Sequence, residues 1–155
     1  MNNTLRTVCL LAALLVAGTM AAAPAPDMQS PLGWWRTFDD KTGQARGIVK
    51  IYEQGGRLFG RLERSFTPGA ATRVCSVCKD ERKDQPVIGL LLIRNLKLED
   101  GEYGGGDILD PDSGTVYRCK LRLEQQGTRL VVRGYIGISL FGRSQTWQRE
   151  TAPPP

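Results

Sequence analysis

From Gly33 to Arg149 the chain repeats one pattern: short runs rich in valine, isoleucine, leucine and aromatics, each broken by a cluster of turn-forming residues. The alternation is cleanest in TVYRCKLRL (115–123). There Tyr117, Cys119, Leu121 and Leu123 share one face, and Arg118, Lys120 and Arg122 the other. A period of two is the mark of a strand with one face on a core and one in water. The same reading predicts strands at GWWRTF (33–38), RGIVKIY (46–52), RLFGRLER (57–64), VIGLLLI (87–93), YGGGDIL (103–109), RLVVRGYI (129–136) and GRSQTWQR (142–149). In RLVVRGYI both faces carry apolar residues, so its direction stays open. No segment sustains a helical period, although 72–84 has room for a short helix.

DDKTG, EQGG, LEDGE, DPDSG and EQQG supply the turns, and only the 65–86 connection is long. Eight strands with hairpin-length links predict an all-β fold, an eight-stranded antiparallel up-and-down barrel, because closure removes the exposed edges of an open meander. A sandwich of the same strands is the alternative. Eight strands enclose an interior about wide enough for packed side chains or one small ligand. In such a meander alternate connections share an end. DDKTG, the 65–86 loop, DPDSG and the GISLFG turn therefore fall on one rim, and the plain polar turns on the other. The first rim gathers Asp39, Asp40, Asp110 and Asp112, a Cys-x-x-Cys pair, and Ile138, Leu140 and Phe141, with the long loop placed to act as a lid.

The first residues follow a different pattern. One cation, Arg6, precedes the apolar run VCLLAALLVAGTM and the small residues AAAPAP, which is the layout of a secretory signal peptide over 1–23 with cleavage near 21–25. The apolar run is shorter than the roughly 18–20 residues that span a bilayer, so a cleaved leader rather than a retained anchor is expected. A periplasmic or secreted single domain over 31–150 follows, with a disordered tail at 151–155 and no stable membrane insertion after cleavage. The net charge of +5 is spread along the chain without a basic run, so no nucleic-acid partner is expected. The chain contains no histidine, which removes Ser-His-Asp and Cys-His catalysis and the commonest transition-metal ligand.

The motifs GWWRTFDDKTG, QPVIGLLLI, GGDILDPDSGTVYRCKL and VRGYIGISLFGRSQTWQR, in this order, closely resemble the DUF2147 family of exported bacterial proteins. CSVC followed by KDERKDQP resembles the family's form at that place. The resemblance implies a lipocalin-like (calycin) barrel, in agreement with the strand pattern, and implies no established activity. Gly33-Trp34-Trp35 is further similar to the Gly-x-Trp of lipocalins, whose late arginine packs over the first-strand tryptophan. That likeness implies a structural closure pair, Trp35 with Arg149, in which a guanidinium on a partly desolvated indole contributes about 0.5–2 kcal/mol.

Candidate chemistry is sparse. DPDSG reads first as a turn, since Asp accepts backbone hydrogen bonds and Pro111 fixes φ. Calcium binding by Asp107, Asp110 and Asp112 is the lesser reading, because the calcium-loop glycine is missing. Asp39 and Asp40 are adjacent and would point to opposite faces of a strand, which argues against a carboxylate dyad. Glycines in YGGGD mark a bent strand rather than a phosphate cradle. If the barrel is hollow, Tyr52, Tyr117, Arg133, Tyr135, Gln145 and Trp147 are the polar and aromatic candidates for ligand contact. An inward Arg133 would require a carboxylate or an anionic ligand, and an outward one only water.

Removal of the leader leaves Cys75, Cys78 and Cys119. Cys119 lies roughly 15 Å below the rim at about 3.3 Å per residue, beyond the roughly 7 Å that a disulfide allows between Cα atoms. Cys75–Cys78 is therefore the expected disulfide and Cys119 a buried thiol. One cysteine pair without histidine does not make a zinc site. A thiol-redox centre at Cys75 and Cys78 remains an alternative. The expectation is a protein with no metal, no cofactor and no catalytic residue, which binds a small apolar or amphipathic ligand. A module that contacts another envelope component through its rim loops is the alternative.

Overall fold

The computed structural model describes residues 27–151; the expected leader and the last four residues of the tail lie outside them. The alternating runs form eight strands: β1 Gly33–Phe38, β2 Ala45–Gln54, β3 Arg57–Ser65, β4 Leu91–Glu99, β5 Glu102–Asp110, β6 Thr115–Glu124, β7 Arg129–Tyr135 and β8 Arg143–Glu150. Each pairs antiparallel with its sequence neighbours, and β1 pairs with β8 through Trp34↔Glu150, Trp35↔Arg149 and Arg36↔Gln148, so the sheet is a closed barrel. That last pairing excludes a sandwich.

One strand lies later than its sequence pattern suggests. VIGLLLI (87–93) is mostly the end of the long connection, because Gly89 turns the chain at φ +86°. The strand begins at Leu91 and continues through RNLKLE, with Asn95 at φ +60° breaking the alternation that would have revealed it. No helix forms in 72–84. Those residues are turns around a short bridge between Val74 and Pro86.

The barrel interior has two unequal halves. Trp35, Ile51, Leu58, Leu96, Leu121 and Leu130 are buried and fill the half near the plain turns. That end is sealed by the segment before β1. Arg149 donates to the carbonyls of Gly127 (Nε, 2.6 Å), Leu32 (Nη1, 2.8 Å) and Ser30 (Nη2, 2.6 Å), while the Trp35 indole donates to Pro31 (2.8 Å). Gly127, at φ +83°, lets the seal close: a Cβ there would stand 1.8 Å from the Met28 carbonyl oxygen.

The 66–90 connection forms one side of the open end and then folds back along the outer wall. Arg118 is exposed on β6, and cross-strand partners share a face, so its partner Asp107 and Arg94 beyond it also face outward. Arg94 donates to Asp107 (Nε to Oδ1, 2.9 Å) and pairs with Glu81 and Asp80 of the loop. Asp80 in turn chelates Arg82, which is only 3% exposed and also donates to the Leu91 carbonyl (3.0 Å). The hydrogen bond from Arg82 holds the Asp80 carboxyl down at about 2. The loop is thus a buttress on β4 and β5, not a lid across the mouth.

Candidate functional site

The half of the barrel near the unusual connections is hollow. A cavity of about 400 Å³ opens at this rim. Its wall is apolar: Val49, Leu62, Leu92, Ile108, Val132 and Trp147 come from six different strands. All but Leu92 face inward because the pleat sends alternate side chains to the same side, and Leu92 reaches the cavity where the β3–β4 register shifts between Gly60 and Arg61. Gly134 contributes to the open space, since it stands opposite Cys119 on β6 with no side chain of its own. Tyr117 lines the same space, and its hydroxyl makes no hydrogen bond among the described residues.

Polar groups are concentrated at the mouth. On one side a relay climbs from floor to rim. The Trp147 indole donates to Gln145 Oε1 (3.2 Å), Gln145 Nε2 donates to Asp40 Oδ2 (3.0 Å), and Asp40 pairs with Arg143. On the other side Asp112 is held between Arg46 and Arg73, and Arg73 also donates to the Pro111 carbonyl (3.3 Å). Burial raises the Asp112 carboxyl, but hydrogen bonds from the two guanidiniums outweigh it and leave the group below its ordinary value. The other two aspartates serve their own turns. Asp39 Oδ1 accepts from the Thr42 and Lys41 amides (2.8 and 3.0 Å), and Asp110 accepts from the Asp112 amide (3.0 Å) and the Ser113 hydroxyl (2.8 Å).

The residues singled out from sequence therefore separate. Tyr117, Tyr135, Gln145 and Trp147 lie in the cavity lining, and Asp110 and Asp112 at its edge. Tyr52 and Arg133 are not in it. Tyr52 stacks on Phe59 of the neighbouring strand, with ring centroids 5.9 Å apart, on the side of β2 opposite the buried Ile51. Arg133 faces outward and binds the β7–β8 turn: Nε and Nη2 donate to the Ser139 carbonyl (2.8 and 2.6 Å), and Nη1 to the Ser144 hydroxyl (2.9 Å). The arginines of the mouth were not singled out from the sequence. Arg46 and Arg143 each follow a rim connection by a few residues, and that placement is the signal that would have found them.

Cys75 and Cys78 are joined, and both sulfurs are buried where the long loop meets the β5–β6 turn. Cys75 Sγ lies 3.8 Å from the Pro111 carbonyl, and Gly114 (φ +71°) approaches so closely that a Cβ would stand 2.0 Å from the Val77 carbonyl oxygen. The staple thus locks one rim connection against another. Cys119 is a buried free thiol whose ionisation is pushed well up by burial. Among the described residues no group of three or more histidine, cysteine or carboxylate side chains is gathered to hold a metal.

A solved structure shares this architecture. Protein HP1028 from the human pathogen Helicobacter pylori, described as belonging to the lipocalin family, superposes with a TM-score of 0.67 at 17% identity, over 78% of this chain and 83% of that one. At that identity the likeness is one of fold. No curated protein matches the sequence. Residues 33–149, the whole barrel but for its last residue, match DUF2147, described as an uncharacterized protein conserved in bacteria, and the chain belongs to that family.

Proposed function

We propose that this protein is an exported, non-enzymatic binder of a small apolar or amphipathic ligand, held in the open half of the barrel. One observation carries the reading: a cavity of about 400 Å³ with mainly apolar walls, whose charged groups are gathered at its mouth. That volume falls in the range of roughly 300–1,000 Å³ occupied by small-molecule sites. An apolar body would be buried against Val49, Leu62, Val132 and Trp147, gaining roughly 25 cal/mol for each Å² removed from water. A polar end would reach Tyr117 and the ion-paired arginines of the rim. The lipocalin description of the Helicobacter pylori protein supports a carrier role by likeness of fold.

The buried disulfide supports the non-enzymatic side of the reading. A redox pair must present a sulfur to its partner, whereas both of these sulfurs are packed under the rim. The leader pattern at residues 1–23 and the oxidised pair support export, since disulfides persist in oxidising compartments.

Denaturing extraction of the protein purified from the compartment where it accumulates, followed by mass spectrometry, tests the proposal. A stoichiometric apolar or amphipathic molecule is the expected result. An empty protein from several growth conditions, together with failure to take up apolar probes, would overturn it.

A further inference from the structure

The connection between β7 and β8 stands apart from the rest of the surface. Ile136, Ile138, Leu140 and Phe141 are 68%, 61%, 76% and 80% exposed within six residues. Single exposed apolar side chains are ordinary, but a cluster at the tip of a turn marks an interaction site.

The exposure is built rather than incidental. Arg133 ties the carbonyls of Ser139 and Leu140 from the outer face of β7 and so fixes the 3-10 turn Ser139–Phe141. That turn holds Leu140 and Phe141 largely in solvent. Ile136 and Phe141 also belong to the cavity lining, which makes the tip continuous with the mouth.

Charge indicates what the tip meets. Residues 114–149 contain seven basic residues and a single acidic one, Glu124. Glu124 lies at the opposite end with Arg122, Arg129 and Arg149, and the other four bases lie toward the tip. Nearest the tip lie Arg118, opposite Tyr135, Arg133, opposite Ser144, and Arg143, opposite Gly134. Of these only Arg143 is engaged by a carboxylate among the described residues, that of Asp40. A small apolar knob inside a basic collar matches a lipid interface, where apolar groups enter the acyl boundary and cations stay among anionic headgroups. A protein interface is broader, commonly about 800 Å² on each partner.

We propose that the β7–β8 tip docks this protein reversibly onto an anionic lipid surface, with the cavity mouth turned toward the bilayer. Docking is measured without ligand, so it and the binding reading can fail separately.

Protein purified from cells expressing the full chain is sedimented with vesicles of phosphatidylethanolamine and phosphatidylglycerol, and in parallel with phosphatidylcholine vesicles. Binding to the anionic vesicles is expected, weakened about tenfold on phosphatidylcholine or at high salt. The double substitution L140D/F141D is expected to lower partition by about tenfold or more with an unchanged melting temperature, because both side chains already face solvent. The proposal is overturned if the parent does not sediment or if the variant binds equally well. A concentration-dependent dimer that the variant abolishes would instead assign the tip to a second copy. Retention by protein-bearing but not protein-free membranes would assign it to a protein partner.

Discussion

The guanidinium of Arg149 lies over the ring of Trp35, its central carbon 4.3 Å from the ring centroid. The pair stands where the first and last strands meet, so one contact both closes the cylinder and seals its filled end. Arg149→Ala removes the cation–π contact and leaves three carbonyls without their donor. The expected loss is about 2–4 kcal/mol of unfolding free energy. Arg149→Lys should recover less than half, because one ammonium cannot serve three separated carbonyls. Urea denaturation of the two variants decides the matter, and an alanine variant as stable as the parent would remove this contact from the account of closure.

The buttress makes a pH prediction. Asp80 is held at about 2 by its hydrogen bond from Arg82, below its ordinary value of 3.8. A carboxyl depressed by folding stabilises the fold above the unfolded value and loses that contribution as pH falls from about 4 toward 2. Asp80→Asn should flatten this part of the acid-unfolding curve. At neutral pH it should cost about 2–4 kcal/mol, since buried Arg82 keeps its charge and its bond to the Leu91 carbonyl but loses its carboxylate partner. An unaltered acid limb in the variant would contradict the assignment.

Filling the cavity should separate binding from folding. Val132→Trp places an indole in the open half, where the neighbouring space is vacant. Affinity for an apolar fluorescent probe should fall about tenfold or more, with stability changed by no more than about 1 kcal/mol. Tyr52→Ala, on the outer wall, should leave probe affinity as it is. Equal effects from both substitutions would mean that the probe binds elsewhere.

Reduction of Cys75–Cys78 should be a local event. The bond closes a very short loop, for which chain entropy allows only about 2 kcal/mol. Hydrogen exchange after reduction should quicken in 73–87 and at the β5–β6 turn that packs on it, while β6 to β8 keep their protection. Global unfolding on reduction would show that the staple carries far more than the geometry gives it.

Cys119 provides a probe of the intact core. Burial raises its ionisation, so the native protein has little thiolate at mildly alkaline pH. In protein lacking residues 1–23, and so Cys9, an aromatic disulfide reagent should titrate no thiol in the native state and one on unfolding without reductant. Rapid native labelling would place the sulfur within reach of solvent.

The strands were legible wherever one face meets the core and the other meets water. β6 shows this best, since its outer face carries Arg118, Lys120 and Arg122 in succession, with Val116 as a lone apolar side chain at its start. β2 and β7 were ambiguous for a physical reason. Ile48 and Val49 are both buried because the register shifts between them, so alternation does not reveal which way Tyr52 points. Arg133 lies among residues that are apolar on both faces, and its outward direction is set by carbonyls of a turn six residues later. The course of the long loop was equally hidden. Asp80, Arg82, Arg94 and Asp107 form one ion ladder only because β4 and β5 bring distant residues together, and no spacing within the chain encodes that meeting.

The division of the barrel into a filled half and a hollow half separates two demands that most small proteins must meet with the same residues. Folding depends on the layer around Trp35, Leu121 and Leu130, whereas the proposed ligand would be chosen by the residues of the hollow half above them. Substitutions at the mouth can therefore alter selectivity without endangering the scaffold. Proteins of this architecture are free to share a floor while diverging at the brim, and a ligand established for one of them does not transfer to the next.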